Sequence, residues 1–244
     1  MFIRAAVHIH STWSHDGCWD LAPIAGAFIA RGYNLLLMTE HDQGFTEERR
    51  IAYRDACASA SSDHLLIISG IEYSDPLNRV HTLAWGNVRF QGVGMETRHV
   101  LEHATEQGGV CVLAHPSRRA AWKEFRKEWF KYLAGVEIWN RKTDGWCPSP
   151  EAMEIIRHTG AAPIVSHDFH SARQFFPFAV SMPLEGPPTE DNVLDALRQG
   201  SFHCEVFGMD LRTFTSGLPR FSLQFLEQCR RLAARASRSF ITQR

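Results

Sequence analysis

The chain has 244 residues, 44% hydrophobic and 22% charged, with a net charge of −1. That size suits one large domain or two small ones with a substantial core, and the balance excludes a disordered chain or a molecule biased as a whole toward nucleic acid or membranes. No apolar run approaches the ~18 residues of a membrane span, no basic-then-apolar leader opens the sequence, and the six cysteines form no CxxC pair, so a reducing, cytoplasmic setting is expected.

Short apolar runs alternate with helical stretches. Ala5–Ile9 reads as a strand, Leu21–Ala30 as a helix, Leu35–Thr39 as a strand and Thr46–Ala60 as a helix. Strands over Leu65–Ile71 and Val80–Trp85 follow, then a helix over Thr97–Glu106, a strand over Val110–Ala114 and a helix over Ala120–Tyr132. Strand Gly135–Trp139, helix Pro150–His158, strands Ala162–Ser166 and Phe178–Met182 and helix Glu190–Gln199 complete the series. Gly32, Gly108 and Gly160 stand where helices stop, and Thr189 before two acids suits a helix start. Such alternation predicts an α/β fold on a parallel sheet. No linker is evident before about residue 208. A loop over residues 213–219 and an amphipathic helix from about Ser222 to Ala236 are expected beyond it. Arg212, Arg220, Arg230, Arg231, Arg235, Arg238 and Arg244 face a single acid, Glu227, in residues 211–244. This basic tail is a solvated helix or a contact for nucleic acid or a partner.

The thirteen histidines cluster where strands are expected to end. His8 and His10 are two apart, and on an extended chain residues i and i+2 share a face. Asp168 and His170 repeat that spacing after another apolar run. His41 follows LLLMTE, Glu72 follows LLIISGI, His115 follows GVCVLA, and His81 opens VHTLAW. Imidazole and carboxylate together suit zinc, manganese or iron. Glu137 at the end of a strand fits a supporting or a structural role equally. His167 should face away from its neighbours Asp168 and His170. Trp139, Trp146 and Phe175 are candidate pocket walls or core.

These motifs resemble the PHP (polymerase and histidinol phosphatase) family of metal-dependent hydrolases. HIHSTWSHDG over His8–Gly17 resembles the opening motif and TEHD over Thr39–Asp42 the second. GIEYS at Gly70–Ser74, AHP at Ala114–Pro116 and SHDFH at Ser166–His170 follow in the family's order, over roughly residues 5–205. The resemblance implies a distorted seven-stranded β/α (TIM-like) barrel over residues 1–208. Residues 209–244 form a basic tail or helix that is not an independent domain. It implies two or three divalent metal ions (Zn, Mn or Fe) on His8, His10, Asp16, His41, Glu72, His81, His115, Asp168 and His170, with Glu72 bridging. Glu40 replaces the family's usual Asp before His41 and is expected to orient that imidazole.

The implied reaction is hydrolysis of a phosphomonoester or phosphodiester by hydroxide held between metals. Asp168 would orient the attacking water, and His170 or His15 would protonate the leaving group. Arg118, Arg119, Arg141, Lys142 and Arg173 follow three strand ends and form a candidate anion-binding rim. The partner expected is a small-molecule or nucleotide phosphoester, with no membrane. The same metals would also serve a hydrolase of non-phosphate esters or carbamates, or a nuclease at oligonucleotide ends. A non-catalytic partner subunit is the remaining alternative, disfavoured because all nine ligand positions hold competent side chains.

Overall fold

A computed structural model describes residues 2–241, with side chains described through residue 234. In chain order the elements begin with β1 (Phe2–Ile9), α1 (Leu21–Ile29), β2 (Leu35–Met38), β3 (Glu40–His41), α2 (Glu47–Ala60), β4 (Leu66–Ile68) and β5 (Gly70–Ser74). Next come β6 (His81–Trp85), α3 (Thr97–Glu106), β7 (Val110–Ala114), β8 (Leu133–Asn140), α4 (Pro150–Thr159) and β9 (Pro163–Ser166). The chain continues through β10 (Phe178–Pro183), α5 (Glu190–Arg198), β11 (His203–Val206), β12 (Met209–Asp210) and α6 (Gly217–Ile241).

The strands make a mixed α/β fold with two six-stranded sheets, ordered β12-β11-β10-β1-β2-β4 and β3-β5-β6-β7-β8-β9. The sheets are joined by the chain itself. β2 runs into β3 across Thr39, and β4 into β5 across Ser69. Beyond β9, the His167 N–H donates to Val7 O (3.0 Å) and the Phe169 N–H to His8 O (3.0 Å), while Phe169 O accepts from the His10 N–H (2.8 Å). β2 is buried on every residue, as the near-continuous apolar run LLLM requires of a strand covered on both faces.

The expected parallel sheet is only partly observed. β1, β2 and β4 run parallel, as do β7, β8 and β9, but β5, β6 and β7 alternate in direction and β10 lies antiparallel on β1. A parallel connection needs a crossover of a dozen or more residues, and the turn between Ser74 and His81 is too short for one. The expected helix over Ala120–Tyr132 is instead two 3-10 helices, Arg118–Lys123 and Lys127–Tyr132, with Arg119 (φ 48°) and Ala120 (φ 57°) in left-handed backbone. The strand expected over Leu65–Ile71 is divided between β4 and β5. The β11–β12 hairpin, turned by Phe207 (φ 54°) and Gly208 (φ 73°), was not anticipated. Helix ends follow the sequence more closely. Gly160 closes α4 in the left-handed conformation, and Thr189 forms a capping box with Asn192 at the start of α5.

The C-terminal helix α6 is longer than expected, beginning at Gly217. Part of the loop expected before it is a 3-10 helix, Leu211–Phe214. Several tail arginines are engaged within the tail: Arg212 pairs with Asp210, and Arg230 and Arg231 with Glu227. Arg235, Arg238 and Arg244 lie outside the described side chains. Among the described residues, no helix is long and apolar enough to cross a membrane.

Candidate metal centre

Strand register gathers the ligand-type residues along one edge. His41 pairs with Glu72 between β3 and β5, and His81 sits opposite both Ser74 of β5 and Ala114 of β7. His81 is therefore at the start of its strand. Because β6 runs against its neighbours, that start meets the ends of β5 and β7.

The side chains converge on Glu72, which is 1% exposed. Its Oε2 lies 3.3 Å from His8 Nε2, 3.3 Å from His10 Nε2 and 3.0 Å from His41 Nδ1. Its Oε1 lies 2.5 Å from His81 Nδ1 and 3.0 Å from His115 Nε2. Asp168 Oδ1 stands 3.7 Å from the Nε2 atoms of His8 and His10 and 3.3 Å from His170 Nδ1. Asp16, at the mouth, contacts His41 Nε2 (3.3 Å) and His170 Nε2 (3.0 Å). The loop carrying it folds back so closely that a Cβ on Gly17 would lie 2.0 Å from Ser11 O. All nine expected ligand positions thus lie in one constellation.

The i, i+2 geometry expected for His8 and His10 is reached by another route. His8 adopts φ 64°, and the pairing of β1 with β2 shifts register between Val7 and Ile9. His115 (φ 23°) and Asp168 (φ 47°) are also in left-handed backbone. Strain of this kind in non-glycine residues persists only where surrounding structure enforces it.

Two buried carboxylates set the imidazole orientations. Glu137 Oε1 accepts from His8 Nδ1 (2.7 Å), and its Oε2 accepts from the His115 N–H (2.8 Å) and Asn140 Nδ2 (2.9 Å). Glu40 does not touch the His41 ring, contrary to expectation. It accepts from the N–H and Oγ of Ser11 and from Ser14 Oγ (2.5 Å). Ser14 Oγ then accepts from the His41 N–H (2.9 Å) and His10 Nδ1 (3.3 Å). In both relays the carboxylate holds the proton on Nδ1 and leaves Nε2 free as a donor of electrons.

The electrostatics divide the rings. Burial opposes charge on His8, yet Glu137, Asp168 and Glu72 hold its imidazole well above the ordinary value. Burial pushes His10 well below, with His170 and His41 adding to the effect. Burial likewise takes His81 down to about 4. Against the burial that favours its neutral form, Glu72 is held well below the usual carboxylate range by His8 and His81.

The donor set fits divalent cations. His8 Nε2, His10 Nε2, Glu72 Oε2 and His115 Nδ1 are buried without a hydrogen-bond partner. Such orphaned groups are costly unless something occupies them. Three overlapping triads have donor atoms within 4.8 Å of one another: His8, Glu72 and His115; His8, His10 and Asp168; and His10, His41 and His170.

A cavity of about 180 Å³ opens over Glu72 and Asp168, lined also by His15, Gln43, Ser74, Asn78, Arg118, Lys142 and Thr143. Arg118 is fixed by Asn78, whose carbonyl O and Oδ1 each accept from the guanidinium at 3.1 Å. Lys142 Nζ donates to His170 Nε2 (2.9 Å) and lies 3.7 Å from Asp168 Oδ1.

The rest of the expected rim is not brought to the cavity. Arg119 is exposed and donates to Asn78 O from outside. Arg141 stacks on Phe176, 5.1 Å from the ring centre, because neighbours 141 and 142 leave the end of β8 in different directions. Arg173 is exposed on the 3-10 turn Ala172–Gln174. Trp139 is core, while Trp146 and Phe175 are also absent from the cavity lining. His167 turns away among Phe28, Tyr33 and Phe178, with Nε2 3.1 Å from Phe176 O. Ser14 and Asn78 were missed by sequence reasoning. A serine in a polar loop and an asparagine in a turn carry no signal of their own, and both act through a partner distant in sequence.

No family model matches the chain. An alignment 78 positions long, which takes in 29% of this chain, shows 33% identity to DNA polymerase/3'-5' exonuclease PolX of Bacillus subtilis (strain 168) and covers 14% of that protein. The fold is similar to a two-domain protein of Bacteroides vulgatus containing a predicted PHP-like metal-dependent phosphoesterase. That match has TM-score 0.62 and 16% identity and covers 84% of this chain and 65% of the other. It is also similar to the lesion-specific endonuclease PfuEndoQ of Pyrococcus furiosus (TM-score 0.60, 16% identity, 82% of this chain and 56% of that one). The chain spans less than two thirds of the length of each of these three proteins.

Proposed function

We propose that this chain, PHP-like in fold and in the order of its motifs, is a metal-dependent phosphoesterase. The observation that carries the reading is a buried glutamate ringed by five imidazoles, with a fixed guanidinium and an amine at the rim. The backbone bonds between residues 167–169 and β1 support reading the two sheets as parts of one distorted seven-stranded barrel.

The nine ligand-type residues would hold two or three ions, with Glu72 shared between them. Zinc, manganese and iron all suit the donors. When bound, such ions acidify water and screen the charge of the group under attack. Arg118 and Lys142 bind the phosphoryl oxygens, Arg118 in an orientation already set by Asn78. Asp168 aligns water for attack on phosphorus. His15, at the open edge beside His41, donates a proton to the departing oxygen. The cavity is smaller than the ~300 Å³ at which drug-sized sites begin, which favours a phosphoryl group on a small or terminal substrate.

The test is metal analysis of the purified protein beside a panel of phosphomonoesters, phosphodiesters and aryl esters, with His10→Ala as control. Turnover of a phosphate ester that His10→Ala abolishes is expected. A full metal complement with hydrolysis of aryl esters alone would overturn the phosphate reading in favour of a non-phosphate esterase.

A further inference from the structure

α6 is seated with the wrong side inward. A surface helix ordinarily buries its apolar stripe and shows its charges to water. Here the side facing the protein carries Glu227, 2% exposed, which accepts from the Trp146 N–H (3.1 Å) and pairs with Arg230 and Arg231 at 2.6 Å each. Gly145 makes room for that carboxylate, since a Cβ there would lie 2.6 Å from its oxygens. The helix is therefore anchored by an ion cluster and only slightly by Leu223.

Its other side presents Leu218 (81% exposed), Phe221 (66%), Phe225 (65%), Leu226 (47%) and Leu232 (63%). These are five of the fourteen large apolar side chains exposed among the described residues. Together they leave roughly 600 Å² in water, within the range at which an exposed patch marks an interaction site and close to the ~800 Å² per partner of an ordinary stable interface.

The spacing says what covers it. Residues 218, 221, 225 and 232 fall on the a and d positions of a heptad, with Gln228 at the d position between Phe225 and Leu232 and Arg235 at the next one. A polar residue at one core position of a coiled coil fixes register and partner number at some expense of stability. Ser222, Gln228 and Cys229 complete that side, so no described charge interrupts it. Arg220, Arg230 and Arg231 lie about 120–140° around the helix from Phe225 at ~100° per residue. Two of them share the Glu227 carboxylate on the side facing the protein, which offsets one of their two charges. An anionic membrane surface would want those arginines flanking the apolar stripe. A second copy of the same stripe needs none.

We propose that α6 is a homodimer interface, two copies of the chain pairing through the Leu218–Phe221–Phe225–Leu232 seam in a two-fold arrangement. The inference is independent of the reaction, because no seam residue lines the metal cavity.

Sedimentation equilibrium of the full chain at micromolar concentration reads it directly, with Phe225→Glu and Leu218→Glu as variants. The wild type is expected at twice the mass of the chain. Each variant should weaken association by ~100-fold or more, as for loss of a central anchor, with helix content and hydrolytic activity unchanged. Circular dichroism separates this outcome from unfolding. A monomeric wild type, a dimer that survives both substitutions, or a monomer that cosediments with phosphatidylserine vesicles would each overturn the proposal.

Discussion

Glu137→Gln tests how the fold aims its ligands. The carboxylate makes three bonds, all as acceptor, from His8 Nδ1, the His115 N–H and Asn140 Nδ2. An amide has one acceptor oxygen. If that oxygen keeps the two bonds at the Oε2 position, its NH2 faces His8 Nδ1. The imidazole must then give up its Nδ1 proton and carry one on Nε2. That places an N–H at the nitrogen facing Glu72 and Asp168, the one that must be bare to take a metal. If the amide turns over, its NH2 meets two donors and His115 loses its backbone anchor. Either way one ligand is compromised while the side-chain volume is kept. Loss of such a supporting bond typically lowers metal affinity about 10–100-fold, or about 1.4–2.8 kcal/mol. Competition against a chelator, followed by calorimetry or metal release, measures it. Thermal unfolding of the metal-free proteins checks that the fold is intact. Unchanged affinity in a folded variant would show that Glu137 is structural and that the tautomer reasoning is wrong.

The rim makes a paired prediction: Lys142→Ala should raise KM for a phosphate ester several-fold, whereas Arg141→Ala, stacked on Phe176, should leave it within error. Equal effects in steady-state assays would mean that the cavity is not where substrate binds. Burial pushes the Asp144 carboxyl up to about 7, although the Asn140 N–H and Ser117 Oγ donate to it. The stability that comes from keeping it protonated is complete below its ordinary value of 3.8 and is lost as pH rises through about 7. Urea unfolding of Asp144→Asn should therefore lack a component of the wild-type slope in that window, at most about 1.4 kcal/mol per pH unit. Parallel curves for the two proteins would refute the assignment.

Much of the candidate site could be read from the sequence because every proposed ligand except Asp16, which lies in the loop after β1, sits beside an apolar run that fixes its strand. Two-residue spacings marked His8 with His10 and Asp168 with His170. The chain's directions were harder to read. Nothing in VHTLAW says that β6 runs backward, and only the short turn before it forces that reversal. The helix expected over Ala120–Tyr132 failed because left-handed Arg119 and Ala120 disrupt its start and extended Arg126 divides the rest, backbone states that the propensity of its residues does not foretell. The roles of Ser14 and Asn78 depend on hydrogen bonds to Glu40 and Arg118, which no local pattern encodes. Arg141 and Lys142 are adjacent in sequence, and only the geometry at the end of β8 tells them apart.

The left-handed backbone at His8, His115 and Asp168 changes what a routine scan of this centre would report. An alanine there removes the ligand but must keep the unfavourable torsion, whereas glycine removes the ligand and lets the torsion relax, a difference of about 1 kcal/mol or more per position. Glycine variants should then melt higher than alanine variants at these three positions, reversing the order found along an ordinary strand. The gap between the paired variants measures the mechanical tension with which the scaffold holds each donor in place.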